Sequence, residues 1–91
     1  MNKQRALIDL VSVGPSIQED LEDLGITEVE HLVDKNHDDL YVQLQGLRGQ
    51  KIDICVRDVF EAAIAQARDP NLPREQCQWH YYSRLRKGLG K

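Results

Sequence analysis

No stretch of this sequence is able to cross a bilayer. A spanning helix needs about 18 uninterrupted apolar residues, and the amino-terminal apolar run from Ala6 to Val13 is already broken at Asp9. Cysteine is scarce as well. Cys55 and Cys77 are too few and too far apart to form a disulfide framework, and nothing at the amino terminus reads as an export signal. Reduced thiols in a cytoplasmic protein are the expectation. Period-two alternation of apolar and polar residues, the mark of a half-buried strand, is absent over any useful length, as are internal repeats and low-complexity segments. So too are the phosphate loop, the dinucleotide fingerprint and the calcium loop.

Metal and nucleophile chemistry also lack their parts. Cys77 and His80 have the spacing of one ligand pair, but closed zinc sites need four ligands, and His31, His37 and Cys55 supply no second pair. Asp53 and Cys55 lie two apart and would point in different directions on a helix, and Asp53 reads more economically as a cap or first-turn acid of the long helix. The acids between Glu19 and Asp23 read as a solvated face. The chain is therefore predicted to be no enzyme and to carry neither cofactor nor metal.

What is present is enough for one core. The 91 residues are 41% hydrophobic and 30% charged, an ordinary globular composition, and a chain of this length supports a single compact domain over 1–91. Its net charge of −3 conceals an asymmetry. Residues 1–70 hold seven Lys/Arg against fourteen Asp/Glu, and residues 71–91 hold five against one, giving −7 and +4. An acidic body thus precedes a basic carboxyl-terminal segment.

Apolar periodicity and turn residues divide the body into short helices, predicting an all-α bundle of five or six. Ala6, Leu7, Leu10 and Val11 mark the first, which stops at Val13-Gly14-Pro15. Ile17, Leu21 and Leu24 mark the second, ending at Gly25. Thr27 to Glu30 has the form of a capping box for a short third helix bearing Val29, Leu32 and Val33. Asn36 can cap a fourth, with Leu40, Tyr41, Leu44 and Leu47 inward and a stop near Gly46 to Gly49. The longest segment, Lys51 to Arg68, places Ile52, Cys55, Val56, Val59, Phe60, Ala63, Ile64 and Ala67 at three- and four-residue steps, and is the expected spine. Asp69 to Pro73 breaks it, and Pro73 opens a last helix with Trp79, Tyr82 and Leu85 on one side, ending near Gly88.

The first corner carries a resemblance. Leu10-Val11-Ser12-Val13-Gly14-Pro15-Ser16-Ile17, then Leu21 and Leu24-Gly25-Ile26, resemble a helix-hairpin-helix motif, whose glycine-rich turn presents helix-start amides to a nucleic-acid phosphate. Ser12 stands where the first glycine of such a turn stands, and Ser16 where a basic residue often does. The later landmarks Val29, Leu32-Val33, Asp39-Leu40-Tyr41, Gly49, Asp53-Ile54-Cys55-Val56, Phe60 and Ala63 extend the likeness over Leu7 to Ala67. They make the chain similar to a family of small bacterial helix-hairpin-helix proteins labelled "pathogenicity locus". More distantly, the Leu-Gly-Ile step resembles the helical carboxyl-terminal domain of a bacterial competence regulator. The family resemblance implies a helical fold and nucleic-acid contact, without catalysis.

Two surfaces compete for a partner. The segment from Trp79 to Lys91 interleaves aromatics with cations, a mixture suited to DNA or to single-stranded nucleic acid, though Trp79, Tyr82 and Leu85 could equally serve as core. Residues 16–40 carry nine acids and the single base Lys35, which opposes phosphate and favours a basic protein partner. The sequence thus predicts a non-catalytic nucleic-acid-binding module: Ser12, Gly14, Pro15 and Ser16 at the turn, Trp79, Arg84, Arg86 and Lys87 in the basic segment. The alternative is a protein-interaction module using the acidic face 18–39 or the aromatic carboxyl-terminal segment.

Overall fold

The computed structural model describes residues 5–88. Within them the chain forms four α-helices, α1 (Pro15–Asp23), α2 (His37–Arg48), α3 (Ile54–Arg68) and α4 (Trp79–Arg86), linked by 3-10 turns at Leu7–Asp9, Val29–Leu32 and Arg74–Cys77. No strand occurs among the described residues. The all-helical reading holds, but four helices replace the five or six expected.

Local chemistry explains where the four begin and end. Proline at the first position of α1 loses no hydrogen bond, because that amide has no partner inside a helix. The exit from α1 is Leu24-Gly25-Ile26: the Ile26 amide donates to the Leu21 carbonyl and the Gly25 amide to that of Glu22, both at 2.9 Å. This double closure requires a left-handed residue, and Gly25 supplies it at φ 87. It also turns Ile26 back onto Leu21, and both are buried. Asn36 caps α2 by accepting from the amides of Asp38 and Asp39 at 2.9 and 3.0 Å. Asp53 caps α3 through the Cys55 amide at 2.9 Å, and that bond holds its carboxyl below the usual carboxylate range.

The missing helices failed to nonlocal competition. Residues 6–13 form one 3-10 turn and then a loop, because both backbone groups of Val11 are claimed by the side chain of Gln66. The expected third helix is the turn Val29–Leu32. Its capping box does not form: Glu28 holds the cap position without a side-chain bond, and the Thr27 amide donates to His31 Nδ1. Arg68 then takes the carbonyls of Val33 and Lys35 at 2.8 and 3.0 Å, oxygens that a longer helix would need. Pro73 opens the turn Arg74–Cys77 instead of the last helix, which starts at Trp79.

Two faces of α3 are buried. Phe60, Ala63, Ile64 and Ala67 meet Leu21, Ile26, Leu32, Leu40 and Leu44 in one apolar cluster, joined by Leu7, Leu10 and Val13. Each such leucine or phenylalanine contributes roughly 2–3 kcal/mol on burial. A second row, Asp58, Ala62 and Gln66 at four-residue steps, is equally buried. Leu47 and Leu85, both expected inward, lie on the surface.

Candidate functional site

The turn predicted to present amides to phosphate is bonded inward. Ser12 is the one non-glycine described residue in the left-handed region, at φ 76. This conformation costs about 1–2 kcal/mol for a residue with a Cβ, and here it aims the hydroxyl at the start of α4. The Ser12 hydroxyl accepts from the Trp79 amide at 3.0 Å and donates to the Cys77 carbonyl at 3.5 Å. It therefore caps a helix 67 residues away. Gly14, by contrast, is extended (φ −96, ψ −176), and a Cβ there would meet nothing within 4 Å. Pro15 and Ser16 are exposed at the first turn of α1.

The same seam holds Gln66, whose side-chain amide acts as a peptide group. Its Oε1 accepts from the Val11 amide and its Nε2 donates to the Val11 carbonyl, both at 2.9 Å, with Ala62 O at 3.1 Å as a further acceptor. Buried amides without partners cost about 1–3 kcal/mol each; here every group is satisfied. The 3-10 loop, α3 and α4 are thus joined at one place.

Next along the α3 row, Asp58 anchors the other end of α4. It is fully buried (0% exposed) and meets two guanidinium groups. Arg86 Nη2 donates to Oδ2 at 2.8 Å while its Nε lies 3.0 Å from Oδ1, and Arg57 Nη1 reaches Oδ1 at 2.8 Å. Arg57 continues the chain of charge to Asp38 at 2.8 Å, Glu61 at 2.9 Å and His37 Nε2 at 2.9 Å. The bond from Arg57 holds the Asp38 carboxyl below its ordinary range. Three helices, α4, α3 and α2, are linked by this relay, and a carboxylate so buried persists only because it is paired and hydrogen-bonded. Arg86, expected to supply charge to a ligand, is an internal partner instead.

Of the seven arginines, five serve structure. Arg48 binds Asp20 and Asp23 across α1 and α2 at 2.7 and 2.8 Å. Arg5 donates to the Gln66 carbonyl at the end of α3 at 2.9 Å, and Arg57, Arg68 and Arg86 are engaged as described. Lys35, Lys51 and Arg74 are exposed at scattered positions, while two further cations lie close together at the end of α4. Arg84 and Lys87 are exposed and form no ion pair among the described residues, and exposed His80 lies on the same side of the helix one turn earlier. Trp79 is half-buried, with its ring edge-to-face to His80 at 5.8 Å. Of the eight predicted positions, Ser12 and Trp79 are brought together, Arg84 and Lys87 share an open face, Arg86 turns inward, and Gly14, Pro15 and Ser16 stand apart.

Asp58 and Gln66 were missed by sequence reasoning. The available signal was their spacing: with Ala62 they form a four-step row on a helix whose neighbouring positions are apolar. Among the described residues no group of three or more His, Cys, Asp or Glu side chains is arranged to hold a metal. Cys77 is buried and Cys55 half-buried, and burial together with nearby Asp53 pushes the Cys55 thiol up. No helix of the described residues is long and apolar enough to cross a membrane.

Residues 1–88 match the family described as pathogenicity locus (Cdd1). The mitomycin resistance protein McrB of Streptomyces lavendulae is 37% identical over 75 residues, covering 82% of this chain and 69% of that protein. No solved structure matches. With nearly the whole chain covered, this protein belongs to the pathogenicity-locus family.

Proposed function

We propose that the chain is a non-catalytic nucleic-acid-binding module whose contact surface is the outer face of α4, not the turn at Gly14-Pro15. One observation carries the reading: Arg84 and Lys87, exposed and without an ion pair among the described residues, share one side of the α4 end, with His80 extending the row. Cations so placed displace counterions from phosphates, the main source of sequence-independent affinity. The turn is a weaker candidate because Ser12 is engaged with Trp79 and α1 carries Glu19 and Glu22 on its exposed side.

Two cations and a histidine make a small footprint, so binding is weak and its salt slope is modest. The slope of log K against log salt is about −0.7 to −0.9 per phosphate neutralised. The test is a residue-resolved NMR titration with short oligonucleotides at low salt. Shifts confined to α4, reversed by salt and lost in the double variant Arg84→Glu/Lys87→Glu, are expected. If no residue shifts at low salt the reading fails, and the protein-interaction alternative takes its place. That alternative has its own support in exposed Glu28, Glu30, Asp34 and Asp39 within the acidic face.

A further inference from the structure

The outer face of α4 carries more than charge. Successive helical residues turn by about 100°, so His80, Arg84 and Lys87 fall in one narrow row while Tyr81 and Leu85 fall in a second row beside it. Tyr82 and Ser83 are buried, and Arg86 reaches Asp58 on α3, which leaves both rows on the side away from α3. Leu85 is 46% exposed and Tyr81 is half-buried. The Tyr81 ring stands edge-to-face on that of Tyr82 at 5.0 Å. With Tyr82 fixed in the interior, Tyr81 is held in place before any ligand arrives, which lowers the entropy cost of a contact.

Resting on the nucleic-acid reading above, we infer that this face binds a single strand and not a duplex. The phosphates follow His80, Arg84 and Lys87, and an unpaired base lies on the Tyr81–Leu85 row. Two physical arguments exclude the duplex. Its bases are already stacked on one another and offer no face to Tyr81, whereas unpaired bases stack freely on aromatic and apolar side chains. A duplex is also broad, and acids flank the helix: exposed Glu75 in the preceding turn and exposed Asp53 near Arg86. A single strand follows one row about 10 Å long without crossing them.

The test uses the full chain at low salt with three probes: a ten-nucleotide oligodeoxythymidine, a duplex of the same length, and inorganic polyphosphate, which has the charge without the bases. Intrinsic fluorescence of the single tryptophan, Trp79, reads binding. The strand is expected to bind at least about tenfold more tightly than either other probe, since one base stacked on an aromatic contributes roughly that factor. Tyr81→Ala should remove about that tenfold advantage for the strand and leave polyphosphate binding unchanged. Arg84→Gln/Lys87→Gln should weaken all three. Should Tyr81→Ala lose its helical circular dichroism, Leu85→Asn tests the same row at an exposed position, with the same loss expected. Equal binding of duplex and strand, or indifference of strand binding to the folded row variants, overturns the inference while the nucleic-acid reading stands. Absence of binding by all three probes overturns both.

Discussion

The hydroxyl of Ser12 accepts a hydrogen bond from the backbone amide of Trp79 at 3.0 Å, joining the loop before α1 to the start of α4. Ser12 reaches that position by adopting φ 76, a conformation glycine would adopt without strain. Conformational cost and capping gain therefore oppose each other in one residue. Ser12→Ala keeps the strain and loses the cap, so it should cost about 1–3 kcal/mol. Ser12→Gly loses the cap but relieves about 1 kcal/mol of strain and should lie between wild type and Ser12→Ala. Urea denaturation gives the order: a Ser12→Ala variant as stable as wild type would mean the hydroxyl contributes nothing, and one as stable as Ser12→Gly would mean the backbone stores no strain.

Gly14, at the centre of the predicted phosphate-binding turn, is expected to be replaceable. Its backbone is extended and a Cβ there meets open space. Gly14→Ala should change stability by no more than about 0.5 kcal/mol and should not alter oligonucleotide affinity. A large loss of affinity in this variant would return the turn to the binding site.

Asp58 is the residue whose loss should be most severe among the polar ones. Asp58→Ala leaves Arg86 without its carboxylate partner and Arg57 with Asp38 and Glu61 alone. Breaking a buried pair from one side costs about 3–5 kcal/mol, and a drop in Tm of more than about 10 °C is expected for a domain of this size. The double variant Asp58→Leu/Arg86→Leu should recover much of this, because no buried charge is then left unpaired. Calorimetry on the single and double variants checks the coupling, which simple additivity would disprove.

Gln66→Glu tests the peptide-like bonding to Val11. The change keeps an acceptor for the Val11 amide but removes the donor to the Val11 and Ala62 carbonyls and buries a carboxylate among oxygens. Burial raises the pKa of the introduced carboxyl above its unfolded value. The unfolded state then binds fewer protons across that interval, so the variant gains stability as pH falls through it. Wild type has no such group at this position. Denaturation midpoints of the two proteins should converge on acidification, and parallel curves would contradict the assignment.

Tyr82 predicts the alkaline limb. Burial pushes its phenol up to about 12 from an ordinary 10. Below pH 10 it is neutral in both states and contributes no pH dependence. Between about 10 and 12 the unfolded chain ionises first, so stability falls as pH rises. Tyr82→Phe should make that decline shallower, as read by thermal unfolding between pH 9 and 12.

The parts of this fold that could be read from sequence are those whose chemistry closes within a few residues. The Asn36 cap, the Leu24-Gly25-Ile26 exit from α1, the Asp53 cap and the long α3 each rest on partners at most five positions apart. The first helix was expected from Ala6, Leu7, Leu10 and Val11, yet its conformation is decided by Gln66, 55 positions away. Leu85 matched a core pattern with Tyr82, but the short α4 is seated by Ser12 and Asp58 at its two ends, and that seating leaves Leu85 outside. Within the candidate site, Arg84 and Lys87 were legible as exposed cations. Arg86 was not, because nothing local distinguishes a cation that reaches water from one that reaches Asp58 on α3.

The link between Val11 and Gln66 also bears on how the chain tolerates trimming. Although residues 5–13 form only a single turn and a loop, they supply Leu7, Leu10 and Val13 to the interior and, through Val11, the residue that bonds both ends of the Gln66 amide. A fragment beginning at Pro15 would look intact by helix count while exposing an apolar trough and leaving α4 without the hydroxyl on its first amide. Deletion from the front is therefore equivalent to excavating the centre.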